Sequence, residues 1–307
     1  MRPLRGIAMK IASVTLFMVM STLIKMASER VPAGEAVFFR ASCAMPVILV
    51  WLVAQGEFPA GLRVTSPFGH VLRGLLGTTA MGLGFAGLAF LPLSEVVAIG
   101  YAAPLLTVVF AALLLGEQVR LFRIATVGLG LVGVVIVAAP KLSGLFGHGD
   151  ARSAIGATVV LVGAVFAALA QVWVRRLVQR EKVSAIVFYF SLSATVLSFL
   201  TLPWGWVMPT PAEAAMLVTA GIFGGVGQIL LTSSYREADA SLIAPFEYSS
   251  MILALGLGYM VFAEIPDADT LTGAAIIVAA GLIIIWRERQ LGLERTRQRR
   301  AMSPGGR

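Results

Sequence analysis

The chain has 307 residues, of which 58% are hydrophobic and only 13% are charged. A soluble domain carries about 25% charged residues, so these proportions exclude a water-soluble globular enzyme. The net charge of +8 would suit nucleic acid, but the basic residues lie between apolar runs instead of clustering on one face. We therefore predict an integral membrane protein without a nucleic-acid partner.

Ten apolar runs are long enough to cross the hydrocarbon core as helices, which takes about 20 residues. Connections as short as residues 91–94 leave room only for a tight reversal, so neighbouring helices should be antiparallel. Lys10 interrupts the first run and no clear cleavage pattern follows it, so we interpret this run as an uncleaved helix. The ten predicted spans are 5–27, 34–54, 68–90, 93–115, 122–139, 154–176, 184–202, 212–234, 240–263 and 270–286.

The distribution of Lys and Arg predicts the orientation of these spans. With the N-terminus inside, 19 basic residues fall on the cytoplasmic side and four on the other side. Such an excess is typical of cytoplasmic segments. We therefore expect a multi-pass protein of the inner membrane with both termini in the cytoplasm.

A weak internal repeat divides the chain into two halves. A shift of 147 residues aligns Tyr101 with Tyr248 and Glu117 with Glu264. Because each half has five spans, the second half starts from the opposite face and would be an inverted copy, an arrangement typical of secondary transporters. We predict a first repeat at 1–140, a linker at 141–153, a second repeat at 154–286 and a basic cytoplasmic tail at 287–307.

Glycine clusters have a structural interpretation. Two GxGxxG strings, at 82–87 and 128–133, lack the preceding strand and the later acidic residue that a dinucleotide site requires. In membrane helices such glycines let two backbones approach closely. We predict helix packing at both strings and at a third cluster in the eighth span, Gly221, Gly224, Gly225 and Gly227.

Polar residues at membrane depth are the candidates for function, because burying a charge there costs about 3 kcal/mol or more. Glu247 lies inside the ninth span, where it either ties two helices together or binds substrate or a proton. For Arg40 in the second span, a structural role with partial extension toward the outer interface is favoured over a role in lining the pathway. Tyrosines at equivalent positions, amides and an aromatic ring complete the candidate substrate-binding set, which is Tyr101, Gln171, Trp173, Gln228, Glu247 and Tyr248.

Catalysis has little support in the sequence. One cysteine and two histidines exclude a disulfide framework, a cysteine-based metal site and an HExxH helix. No segment groups the acids, bases and nucleophiles that an active site needs, and the phosphate-binding GxxxxGK[ST] loop of an ATP-driven pump is absent. We expect neither an enzyme nor a cofactor or metal.

Short motifs close the fourth and ninth spans. The fourth contains Pro104 and ends on Leu-Gly-Glu at 115–117, and the ninth ends on Phe-Ala-Glu at 262–264. Together with Arg40 in the second span, this pattern resembles the EamA-type branch of the drug/metabolite transporter superfamily. Met251 departs from the pattern, because it stands where the first half has Pro104.

The resemblance implies secondary transport of a small organic molecule by alternating access. Stretches 31–40, 69–74 and 98–104 are similar to bacterial riboflavin importers, so riboflavin uptake is the first specific hypothesis. An exporter of amino acids or related metabolites is the alternative, and a non-transporting sensor or scaffold is a rival of another class. The expected partners are a small-molecule substrate and the lipid bilayer, and a homodimer is left open.

Overall fold

The computed structural model describes residues 3–116, 121–147, 149–237 and 240–302. In these ranges every regular element is a helix, which confirms the all-α prediction. The helices are α1 (Pro3–Ala27), α2 (Ala33–Ala54), α3 (Pro67–Leu88), α4 (Leu93–Gly100), α5 (Ala102–Leu115), α6 (Leu121–Leu142), α7 (Ala151–Leu177), α8 (Val183–Ser198), α9 (Pro211–Glu237), α10 (Ala240–Ile243), α11 (Ser249–Phe262) and α12 (Ala268–Met302).

Within the described ranges, nine helical segments are long and apolar enough to cross a membrane, α4 and α5 counting together as one. The tenth predicted span corresponds to α12, and the ninth corresponds to α10 and α11. Pro67 begins α3, where a missing N–H is harmless because the first turn has no intrahelical acceptor for it. Asp150 caps α7 by accepting hydrogen bonds from the backbone N–H groups of Arg152 and Ser153.

Four predicted spans differ from the observed α-helices, and the seventh, 184–202, does so because its last residues belong to a 3₁₀ segment at Phe199–Trp204. The fourth, 93–115, is broken at Tyr101, and the ninth, 240–263, contains a 3₁₀ segment at Ala244–Tyr248. Pro245 is the second residue of that segment and has no backbone N–H to continue an α-helix. The tenth, 270–286, continues as α12 to Met302, because the predicted tail is rich in Arg, Glu, Gln and Leu, which favour helices.

The broken helices preserve the internal repeat residue by residue. α5 begins at Ala102 and α11 at Ser249, which are 147 positions apart, and both helices have 14 residues. Each ends on a residue in the left-handed conformation, Gly116 with a φ of 67° and Ala263 with a φ of 53°. Alanine rarely adopts this conformation, so the shape of the repeat prevails over the local preference at that position.

Packing between the halves is symmetric, and the two repeats interlock. α3 of the first half packs on α7 of the second, and α9 correspondingly packs on α1. α5 packs on α7 as α11 packs on α1, while α2 meets α8 and α6 meets α12 across the axis. The chain is thus an all-α membrane protein built from two inverted five-helix repeats, as predicted.

Glycines allow the closest of these helix contacts. A Cβ atom on Gly133 of α6 would lie 2.8 Å from the carbonyl oxygen of Gly273 on α12, and a Cβ on Gly273 would lie 2.6 Å from that of Gly133. Gly221 of α9 is equally close to Phe39 of α2, with 2.8 Å to its carbonyl oxygen. The packing interpretation is therefore confirmed at Gly133 and Gly221, whereas Gly84 and Gly128 face open space.

Candidate functional site

Glu247 forms an ion pair with Lys10. The Lys10 ammonium group on α1 contacts the Glu247 carboxylate in the 3₁₀ segment of the ninth span. The Lys10 side chain is only 2% exposed, whereas that of Glu247 is 51% exposed. The carboxylate therefore links two spans and still presents half its surface. Sequence reasoning treated Lys10 as an interruption of an apolar run and as one of the cytoplasmic basic residues, and it missed this partnership.

Tyr101 and Tyr248 stack on each other at the breaks of the fourth and ninth spans. Their ring centroids are 5.3 Å apart and their planes differ by 25°. The Tyr101 hydroxyl lies 2.5 Å from Ser250 Oγ and 3.1 Å from the carbonyl oxygen of Glu247. The structure thus brings Tyr101, Tyr248 and Glu247 together where the two repeats meet.

The other three predicted site residues have different surroundings. The Trp173 indole on α7 donates a hydrogen bond of 3.0 Å to the carbonyl oxygen of Gly69 on α3. Gln171 is exposed on α7. Gln228 on α9 borders a small apolar cleft formed with α2 and α8, beside Ile48 and Val187. None of these contacts involves the tyrosine pair.

Ion pairs tie the spans together at the end of the bundle distal to Pro3. Lys25 Nζ lies 2.9 Å from Glu264 Oε1 and donates to the carbonyl oxygens of Leu88 and Leu91 at 3.2 and 2.6 Å. Glu264 Oε2 also accepts from the backbone N–H of Leu93 at 2.8 Å. Lys25 of α1 and Glu264, which follows α11, thereby fix the short connection between α3 and α4 in place.

A second group at this end is centred on Lys141. Its ammonium lies 2.9 Å from Glu95 and 2.8 Å from Asp267, which precedes α12. Burial raises the pKa of Asp267, but hydrogen bonds from the Lys141 ammonium and from the backbone N–H of Thr270 outweigh it and lower the pKa to about 2. Asp267 is therefore charged at neutral pH.

Arg40 does not reach the interface, contrary to the expectation from sequence. It is only 6% exposed, and its guanidinium carbon lies 5.8 Å from the centroid of the Phe190 ring on α8. Arg73 of α3 approaches the same ring at 4.2 Å. Sequence reasoning counted Arg73 only among the cytoplasmic basic residues, although its position six residues inside α3 was a usable signal.

Metal binding has no support among the described residues, which contain no group of three His, Cys, Asp or Glu side chains able to hold an ion. Glu117, which the internal repeat aligns with Glu264, lies outside the described residues. The arrangement that remains is a membrane bundle with stacked tyrosines and an ion pair at its internal repeat interface. Such sites at interrupted helices are typical of secondary transporters.

Comparisons with known proteins agree with this class. The sequence matches the EamA-like transporter family at residues 4–139 and again at 154–286. The chain therefore belongs to the EamA-like transporter family. A solved crystal structure superposes with a TM-score of 0.67 at 23% identity, covering 93% of this chain and 98% of that one, and supports the fold alone.

Curated relatives are similar along almost the whole chain. A pseudopaline exporter of Pseudomonas aeruginosa is 32% identical over 277 residues, covering 90% of this chain and 94% of the relative. An S-adenosylmethionine uptake transporter of Rickettsia prowazekii is 27% identical over 287 residues, covering 94% of each. The corresponding transporter of Rickettsia bellii is 30% identical over 266 residues, covering 87% and 88%. These relatives are metabolite transporters that move their substrates in opposite directions.

Proposed function

We propose that this chain is a secondary transporter that moves one class of small organic metabolite across the inner membrane by alternating access, with both termini in the cytoplasm. The observation that carries the proposal is the cluster of Tyr101, Tyr248 and Glu247 at the breaks of two equivalent spans. Interrupted helices at a repeat interface expose backbone and polar groups to a substrate inside the bundle.

Each member of this cluster has a distinct role in the proposal. The stacked rings of Tyr101 and Tyr248 offer an apolar face with hydroxyl groups, which suits a compact molecule with few polar groups. Glu247 presents a half-exposed carboxylate to a cationic group or a proton. Gln171, Trp173 and Gln228 remain in the proposed substrate-binding set as sources of hydrogen-bonding groups and an aromatic surface.

Alternating access also requires an end that opens, and the Lys25–Glu264 pair is suited to that role. It holds the bundle together at the end distal to Pro3 through contacts between side chains and the backbone of a short connection. Such contacts can break and reform without unfolding a helix. Substrate would then exchange with one side of the membrane when this end opens and with the other side when it closes.

The specific substrate is tested with a panel in proteoliposomes made from the purified chain. The panel contains riboflavin, S-adenosylmethionine and several amino acids, and uptake into a riboflavin auxotroph expressing the chain provides an independent assay of the riboflavin hypothesis. Growth rescue with accumulation of labelled riboflavin would support riboflavin uptake. Absence of both would remove it and leave the metabolite exporter, whereas flux of no panel member would favour a sensor or scaffold.

A further inference from the structure

Two arginines from different spans meet inside the bundle. The guanidinium carbons of Arg40 and Arg73 lie 5.8 and 4.2 Å from the centroid of the same Phe190 ring. The two carbons are therefore no farther apart than the sum of these distances. Both contacts are within the range of cation–π attraction. Arg40 enters about 10 Å along α2 and Arg73 about 9 Å along α3, at 1.5 Å per residue. Because these neighbouring helices run antiparallel, the two charges approach from opposite membrane faces.

Neither arginine has an acidic partner among the described residues. Nε of Arg40, and Nε and Nη1 of Arg73, are buried without a hydrogen-bond acceptor in that part of the chain. The nearest acid on α2, Glu35, instead accepts a hydrogen bond from the backbone N–H of Val207. Two like charges at membrane depth without a counter-charge are costly, and such residues mark ligand sites by default.

Surrounding residues provide space for both groups. A Cβ on Gly77 would lie 1.8 Å from Nη1 of Arg73, so any larger residue there would displace the guanidinium. A Cβ on Gly224 of α9 would lie 3.1 Å from Nε of Arg40. Thr78 follows Gly77 on α3 and Ser191 follows Phe190 on α8, and the hydroxyls of both are buried without a partner among the described residues. Fork-shaped guanidinium groups and hydroxyls are suited to bind carboxylate or phosphate oxygens.

We propose that Arg40 and Arg73 form an anion site that binds the carboxylate or phosphate of the transported metabolite, with Phe190 as the surface that orders both guanidinium groups. This inference rests on the proposed function, because the ligand is the transported molecule. It restricts the substrate class to organic molecules with an oxyanion group and therefore counts against riboflavin, which has none. A lipid headgroup has the same chemistry, so the test separates these two sources.

The test compares molecules that differ in one oxyanion. Riboflavin 5′-phosphate is paired with riboflavin, and phenylalanine with phenylalaninamide, and inorganic phosphate serves as the bare anion. Thermal stabilisation of the purified chain in neutral detergent measures binding without requiring transport. We expect an oxyanion-bearing member of at least one pair to stabilise the chain. Its partner should need at least about a 10-fold higher concentration to give the same rise in unfolding temperature. Equal stabilisation within both pairs, or none by any of these compounds, would overturn the inference.

Variants assign the effect to the two arginines. Arg40→Gln and Arg73→Gln should weaken binding of the oxyanion-bearing member about 10-fold or more, and Arg73→Lys should weaken it less. Arg63→Gln, at an exposed loop position, is the matched control and should leave binding unchanged. Without ligand, the Gln variants should unfold at the same or a higher temperature, because each removes an unpaired buried charge. A lower unfolding temperature with unchanged oxyanion preference would indicate a structural role and contradict the proposal.

Two further arms separate the sources and the dependence on the proposed function. If the ligand is soluble, the preference for the oxyanion-bearing member of each pair should be the same in vesicles with and without phosphatidylglycerol. Stabilisation of the chain that requires phosphatidylglycerol and is lost in both Gln variants would instead assign the site to a lipid headgroup. Flux of the same pairs is measured in these vesicles. Equal flux of both members of a pair would refute the anion site and leave the transporter intact. Oxyanion binding without flux of any compound would support the site and count against transport.

Discussion

Lys10 and Glu247 are 237 positions apart in the chain, yet their side chains form an ion pair between the first span and the break in the ninth. The Lys10 side chain is buried, while about half of the Glu247 side chain remains accessible. Substrate or a proton arriving at Glu247 would therefore compete with Lys10. This relationship makes Glu247 the residue most directly able to couple binding to movement of α1.

Replacing Glu247 by glutamine tests that coupling. If Glu247 carries a proton during transport, Glu247→Gln abolishes the dependence of uptake on a pH gradient and leaves substrate binding measurable. Flux in proteoliposomes with and without an imposed gradient provides the measurement. Glu57→Gln, in the loop after α2, is the control and should keep the wild-type gradient response. Unchanged gradient dependence in Glu247→Gln would refute the proton-carrying role.

The hydroxyl of Tyr101 should stabilise the contact between the two breaks. Tyr101→Phe removes hydrogen bonds to Ser250 and to the carbonyl oxygen of Glu247, and we expect a loss of about 1 kcal/mol in unfolding free energy. Tyr248→Phe preserves the stacking and is the matched comparison. Unfolding in detergent measures both variants. A larger loss for Tyr248→Phe than for Tyr101→Phe would disagree with the observed hydrogen bonding.

Close packing of α6 on α12 makes Gly133 intolerant of a side chain. Gly133→Ala would place a methyl group 2.8 Å from the Gly273 carbonyl oxygen, and overpacking of this kind costs about 1–3 kcal/mol. Gly128→Ala on the same helix meets nothing within 4 Å and should unfold like the wild type. Thermal unfolding of both purified variants gives the comparison, and equal unfolding temperatures would contradict the contact.

Asp267 predicts a specific acid sensitivity. Its pKa is lowered from 3.8 to about 2, so its stabilising effect is complete above pH 4 and is lost as the pH falls toward 2. Asp267→Asn should therefore reduce stability at neutral pH and flatten the decline between pH 4 and pH 2. Unfolding temperatures at several pH values measure this difference. Identical declines in the two proteins would show that Asp267 is not the group responsible.

Much of the fold follows from composition and spacing. Apolar runs of about 20 residues predict spans because the hydrocarbon core leaves few alternatives, and the 147-residue shift predicts that Tyr101 and Tyr248 are equivalent. The breaks at these tyrosines were not predicted, because hydropathy registers apolar length and does not register where backbone hydrogen bonds are interrupted. Pro245 in the ninth span and Pro104 in the fourth carried local signals, because neither has the backbone N–H that would continue an α-helix from the preceding turn.

The candidate site was harder to predict than the fold. Glu247 was selected because an acid inside a span is conspicuous, but its partner Lys10 is distant in sequence and lies near a basic terminus. Arg40 and Arg73 occupy separate helices, and only packing of both onto Phe190 brings them together. Trp173 illustrates the opposite case, since residue type made it a candidate although its indole hydrogen bond goes to Gly69, away from the tyrosine pair.

Counterflow across a vesicle membrane tests the central claim most directly. Proteoliposomes loaded with unlabelled substrate, identified from the metabolite panel, are diluted into a trace of the labelled form, and accumulation of label is followed over time. Alternating access predicts a transient accumulation above the level of unloaded vesicles, because internal substrate returns the carrier to the outside. Label that only equilibrates, with the same time course in loaded and unloaded vesicles, would contradict the account.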